Sequence, residues 1–185
     1  DIDIDQDRGP MTPRYAQRMN KVRPSAIGEL LALGADPSII SFGGGLPAPE
    51  VFPVKEFKEA CNYVLEHFGP QSLQYSTTEG YRPLREWLAD CTSAPGLAVS
   101  PDNILITSGS QQALDLLGKT MVSPGDKVIV EAPTFLATIQ CFRLYGAELI
   151  AAPVDADGVQ TDALEELIKT HTPKFVYLIP TFGNP

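Results

Sequence analysis

From about residue 100 onward the apolar positions fall into short unbroken runs, separated by longer stretches with helical spacing. The runs NILITSG (103–109), KVIVEA (127–132), ELIAAPV (148–154) and KFVYLIP (174–180) predict strands, and SQQALDLLGKTMV (110–122), TFLATIQCFRLYG (134–146) and TDALEELIKT (161–170) predict helices. Strands that are continuously apolar, rather than alternating, are those of a parallel sheet covered on both faces. Regular strand–helix alternation implies right-handed βαβ units. The expected fold is therefore three-layer α/β with a mostly parallel sheet.

Before residue 100 the texture changes, with Gly and Pro interrupting the pattern. PSAIGELLALG (24–34) predicts a short helix with Ser25 as N-cap and Gly34 as stop, and SFGGGLPAPEVFP (41–53) predicts irregular backbone. In PVKEFKEACNYVLEHFG (53–69), Phe57, Cys61, Val64, Leu65 and Phe68 share one helical face, opened by Pro53 and closed by Gly69. RPLREWLADC (82–91) repeats the pattern with Leu84, Trp87, Leu88 and Cys91. A helical and irregular amino-terminal segment thus precedes the sheet.

Composition narrows the function classes. The chain has 185 residues, 43% hydrophobic and 20% charged, which suits a globular domain with a real core. A net charge of -9 argues against a nucleic-acid surface, which needs clustered Lys and Arg. No apolar run approaches the ~18 residues that span a bilayer. The acidic start DIDIDQDRGP is not a secretory signal and reads as a tag or disordered leader over residues 1–10. Cys61, Cys91 and Cys141 are odd in number, widely spaced and set among apolar neighbours, so they read as core thiols of a reducing, cytoplasmic compartment.

In an open α/β sheet, ligands bind at the carboxyl ends of the strands. At the first such end, TSGSQQ (107–112), Gly109 allows a tight turn and close approach, and the following helix N-terminus offers free N–H groups beside the Ser110 hydroxyl. That is a phosphate seat, and equally a capped helix with no ligand. It is neither a P-loop nor a G-x-G-x-x-G fingerprint. Phe135, just beyond the second strand, is either a ring for a flat ligand or a core residue. DADG (155–158) lacks the spacing and closing Glu of a calcium loop and reads as a surface turn. Asn184 can donate and accept, though Asn before Pro is also a common turn. His67 and His171 read as surface histidines, Glu165 and Glu166 as a solvated helix face. No Ser/His/Asp order and no HExxH appears.

Taken together, GGGLPAPEVFP, LQYSTTEGYRPLREWL, ILITSGSQQALDLLGK, EAPTF and YLIPTFGNP resemble, in order and spacing, the class I aminotransferases of fold type I, which depend on pyridoxal 5'-phosphate (PLP). Within them the resemblance is to the branch containing 2-aminoadipate and kynurenine aminotransferases, and it runs from about Pro24 to Pro185. It implies an enzyme that moves an amino group between an amino acid and a 2-oxo acid. Gly109, Ser110 and Gln111 would hold the PLP phosphate, Phe135 would stack on the pyridine ring, and Asn184 would bond its phenolic oxygen. Many relatives carry Tyr where this chain has Phe135. Tyr75 would reach the phosphate of the neighbouring subunit, so the implied active unit is a homodimer with shared sites. Gly45 would offer backbone to the substrate carboxylate, with Ser25 and Gly28 also lining the substrate pocket. At the place of Gly28, aminoadipate-type relatives can carry a basic residue for a distal carboxylate. A glycine cannot form that ion pair, so apolar or aromatic amino acids, or a broad range, are equally expected.

The resemblance also places the Schiff-base lysine, its aspartate partner and the carboxylate-binding arginine beyond Asn184-Pro185. None of Lys119, Lys127, Lys169 or Lys174 has the lysine's motif context. The chain is thus expected to be an amino-terminal piece, inactive alone: an arm and substrate-lining segment over 11–53, then the first part of the PLP-binding domain over 54–185. Rival readings are a lyase or decarboxylase on the same scaffold, the effector domain of a PLP-binding transcription regulator, and a plain nucleotide-binding α/β domain.

Overall fold

The computed structural model describes residues 15–21, 38–40 and 47–184. The leader, the expected helix at 24–34 with Ser25 and Gly28, and Gly45 lie outside them. The chain divides into two compact units, Asp1–Ile39 with Leu114–Pro185, and Ile40–Ala113.

In the Ile40–Ala113 unit, α1 spans Val54–Ser72 and α2 spans Arg82–Thr92. Helical structure runs on to Ser72, but as two helices that meet at the non-helical Phe68 (φ -132°), beside the expected stop at Gly69 and two residues before Pro70. Proline removes an N–H and crowds the preceding turn, which accounts for the break. The apolar face of α1 is exposed, including Phe57 and Leu65. On α2 the expected core stripe is likewise corrected, since Leu84 and Trp87 are exposed while Arg85 and Ala89 are buried. Cys61 and Cys91 are exposed, and only Cys141 is a buried thiol. The strand expected over 103–109 is also corrected: Ile104 is extended, but residues 104–107 form no strand and join no ladder among the described residues. Instead the Ile106 N–H donates to the Glu79 carbonyl (3.0 Å).

α3, Ser110–Met121, begins in this unit and continues into the other. There follow β1 (Lys127–Ala132), α4 (Leu136–Leu144), β2 (Glu148–Asp155), β3 (Gly158–Val159), α5 (Thr161–His171) and β4 (Phe175–Tyr177). The strand order is β3-β2-β1-β4, with β1 parallel to both β2 and β4. β3 is a short antiparallel addition to β2, made by the turn at 156–157, and two residues are too few to show a period in the sequence. β4 is shorter than its apolar run. Val128, Ile129 and Val130 are buried on both sides of β1, as a central strand requires. The chain leaves β1 for β2 in one direction and returns past β1 to β4 in the other. Right-handed crossovers therefore set α4 and α5 on opposite faces of the sheet, in the three-layer arrangement expected.

The core of this unit gathers Leu114, Val128, Val130, Cys141 and Phe142. Tyr145, at the end of α4, packs against it, lies over Gly118 of α3, and donates from its hydroxyl to Asp115 (2.7 Å). This hydrogen bond, then partial burial, holds the Tyr145 phenol above its ordinary value. A phenol with a raised folded pKa adds stability below its unfolded value, and that stability is lost as pH rises through the folded one. Thermal unfolding between about pH 9 and 11 should therefore fall more steeply for the unaltered protein than for Tyr145→Phe. Parallel curves would show that the phenol contributes nothing there.

Candidate active site

The carboxyl ends of β1 and β2 connect to helices on opposite faces, which opens a crevice between them. A cleft of about 310 Å³ lies there, lined among others by Glu131, Thr134, Asp155, Asp157 and Ile179. Glu131 is buried, and its carboxylate accepts the Ile179 N–H at 2.7 Å, joining the exits of β1 and β4. Beside it the buried Thr134 hydroxyl has no hydrogen-bond partner. Three carboxylates make this cleft a poor seat for a phosphate. Among the described residues, no group of three or more His, Cys, Asp or Glu is arranged to hold a metal.

Phe135 and Asn184 stand beyond the carboxyl ends of the neighbouring strands β1 and β4. Phe135 is half-buried against the core cluster and serves as N-cap residue of α4. Asn184 is exposed. Of the two readings open for Phe135, packing against the core is therefore present, and the residue is only partly buried.

The turn expected to seat an anion is in the Ile40–Ala113 unit. Gly109 has φ +81°, and a Cβ built there would meet nothing within 4 Å. The left-handed backbone selects glycine, and the open space beside it admits a close ligand. Thr107 donates from its hydroxyl to the Gly109 carbonyl (3.1 Å), and the Gln112 side chain accepts the Ser108 N–H, so both sides of the turn are tied. Ser110 and Gln111 open α3, are exposed, and belong to the first turn, whose N–H groups have no intrahelical acceptor. Polar donors, a positive dipole end and free space suit a phosphate dianion. Tyr75 is 99% exposed, with no protein against its ring.

His67 is exposed, its ring stacked on Tyr63; Lys169 is paired with Glu165 and Glu166, and Lys174 lies near Asp126. Lys127 opens β1 at its amino end, away from the crevice. Sequence reasoning missed Glu131 and Arg85. Each is a charged side chain buried by backbone partners, at residue 179 for the first and residues 80 and 101 for the second. No local pattern signals the partners sixteen and forty-eight residues away, at Pro101 and Ile179.

Residues 39–185 match the family described as aminotransferase class I and II. The chain is 46% identical over 171 residues to the 2-aminoadipate transaminase of Thermus thermophilus, covering 92% of this chain and 42% of that protein. A crystal structure of α-aminoadipate aminotransferase from the same species, complexed with N-(5'-phosphopyridoxyl)-L-leucine, superposes with a TM-score of 0.79 at 45% identity, over 92% of this chain and 41% of the other. The kynurenine aminotransferase of Pyrococcus horikoshii gives 0.81 at 41% identity, over 92% and 44%. The chain thus spans less than half the length of these relatives.

Proposed function

This chain belongs to the class I and II aminotransferases, and on that footing we propose that its protein transfers an amino group between an amino acid and a 2-oxo acid with PLP as cofactor. The observation that carries this reading is the seat at Gly109, a left-handed glycine with open space beside it, at the N-terminus of α3. PLP, when bound, supplies an electron sink for the substrate's α-carbon. The chain's own residues bind and orient. Backbone N–H groups around Gly109, Ser110 and Gln111, with the Ser110 hydroxyl, hold the phosphate. The Phe135 ring lies on the pyridine face, and the Asn184 amide donates to the phenolic oxygen. Tyr75 reaches the phosphate of a second subunit, a reading that its uncovered ring supports. Gly45, Ser25 and Gly28 line the substrate pocket. With glycine at position 28, a distal carboxylate has no ion-pair partner there, which favours apolar or aromatic donors or a broad range. No described lysine takes the α-proton, a step we assign to a residue beyond Asn184. Residues 11–53 form the arm and substrate-lining segment, and 54–185 the first part of the cofactor domain. The proposed setting is a cytoplasmic homodimer. Among the described residues, no helix is long and apolar enough to cross a membrane.

The test uses the protein at the full length of its relatives, loaded with PLP. An absorbance band of bound cofactor should shift when a suitable amino acid is added, with an equivalent of 2-oxo acid released. A protein that takes up no PLP, or whose band no amino acid moves, would refute the reading. Release of ammonia or carbon dioxide in place of transamination would move it to the lyases or decarboxylases.

A further inference from the structure

We propose that Arg85 is a positioning residue for the phosphate seat, acting through the Thr77–Gly80 turn and Ile106. The inference rests on the reading of Gly109–Gln111 as that seat. Arg85 is a cation on α2 that is only 7% exposed, although the helix leaves its apolar side chains Leu84 and Trp87 in solvent. A long charged side chain is rarely buried unless its donors are used. Here two are used on carbonyls 21 residues apart in sequence: Nε donates to Gly80 O (3.2 Å) and one terminal nitrogen to Pro101 O (2.9 Å). Asp102 stands 3.8 Å away, largely in solvent. Arg82, on the same helix, is by contrast exposed and paired with Glu86 and Asp102.

The carbonyl that Arg85 holds belongs to the residue that closes a tight turn. Gly80 O also accepts the Thr77 hydroxyl (3.1 Å), and Gly80 N donates to Thr77 O (3.1 Å). Gly80 is left-handed (φ +96°), and the Ile106 side chain occupies the space where its Cβ would be. The neighbouring Glu79 carbonyl accepts the Ile106 N–H (3.0 Å). Residues 104–107 have no ladder partner among the described strands, so these contacts are what anchors the backbone that enters the seat. One residue later the Thr107 hydroxyl bonds Gly109 O, and α3 starts at Ser110. The run is contiguous: Arg85, Gly80, Glu79 and Ile106, Thr107, Gly109. A planar fork can serve two carbonyls at once; a lysine ammonium on a flexible stem cannot hold both in fixed geometry.

The experiment measures dissociation constants of PLP and of pyridoxal, which lacks the phosphate, for the full-length apoprotein and its variants. Arg85→Gln should weaken PLP about tenfold, the usual order for removing a residue that orients a ligand's contacts, and leave pyridoxal unchanged. Arg85→Lys, which keeps the charge, should not restore PLP binding. Arg82→Gln should leave the ratio as it is. Equal weakening of both ligands, or full recovery with lysine, would overturn the proposal by making Arg85 a general structural or charge effect. Should both Arg85 variants fail to fold, Thr77→Val decides. It removes one bond to the same carbonyl and should shift PLP affinity in the same direction, whereas an unchanged ratio of the two ligands counts against the bracing role. An unaltered protein that binds both ligands equally would remove the seat itself and this inference with it. A seat that prefers PLP yet ignores Arg85 and Thr77 removes only the inference.

Discussion

Phe142→Ala will cost about 3 to 5 kcal/mol of folding stability, the range for deleting a fully buried aromatic side chain. Phe142 has no exposed surface, and its ring meets Phe175 and Tyr177 edge-on, with centroids at 5.3 and 6.1 Å. It is the point at which α4 grips β4, across from Val128 and Val130 in the same cluster. Alanine there removes apolar contact on every side and leaves a cavity that β-branched neighbours on a hydrogen-bonded strand cannot close. Urea titration followed by far-ultraviolet circular dichroism measures the change. Phe142→Leu, nearer in volume, should lose less than half as much. A loss below about 1 kcal/mol for the alanine variant would mean that the site collapses freely, contrary to the packing described.

The second large effect belongs to Gly80→Ala. A left-handed backbone costs a Cβ-bearing residue about 1–2 kcal/mol, and forcing a methyl into occupied space about 1–3 more, so roughly 2–5 kcal/mol is expected. The occupied space is specific: the new Cβ would stand 2.6 Å from Ile106 Cβ. Trp87, the chain's single tryptophan, sits on α2 of the same unit, and its fluorescence reports the unfolding. The double variant Gly80→Ala with Ile106→Ala should recover the steric part and not the backbone part. Two neighbours in contact must couple in this way. Strictly additive losses would show that Ile106 is not what excludes the side chain.

How far the sequence could be read varies along the chain in a physically sensible way. α3, β1, α4, β2 and α5 were legible because each carries a period, a cap or an unbroken β-branched run whose meaning is local. The Gly109 turn was legible too, since a glycine between a strand-like run and a helix start has few other uses. The misplaced features share another property. The run 103–109 has the composition of a strand, yet a strand exists only with a partner, and its hydrogen bonds go to the Glu79 turn. Leu84, Trp87 and Cys91 have the spacing of a core face. The α2 face that is buried carries Arg85, because two carbonyls, one five and one sixteen residues away, compensate its desolvation. Cys61 reads as interior from its neighbours, and those neighbours are exposed.

By itself, then, the sequence determined α3, α4, α5, β1 and β2 in the second half, that the sheet is mostly parallel, and that a glycine turn opens α3. Those properties follow from backbone preference and from periodicity within a few residues. Only the tertiary structure decided that Arg85 and Glu131 are interior, that Gly80 is closed off by Ile106, and that β1 is the strand between β2 and β4. Burial and hydrogen bonding between residues tens of positions apart depend on where the chain returns, and local propensity carries no record of that.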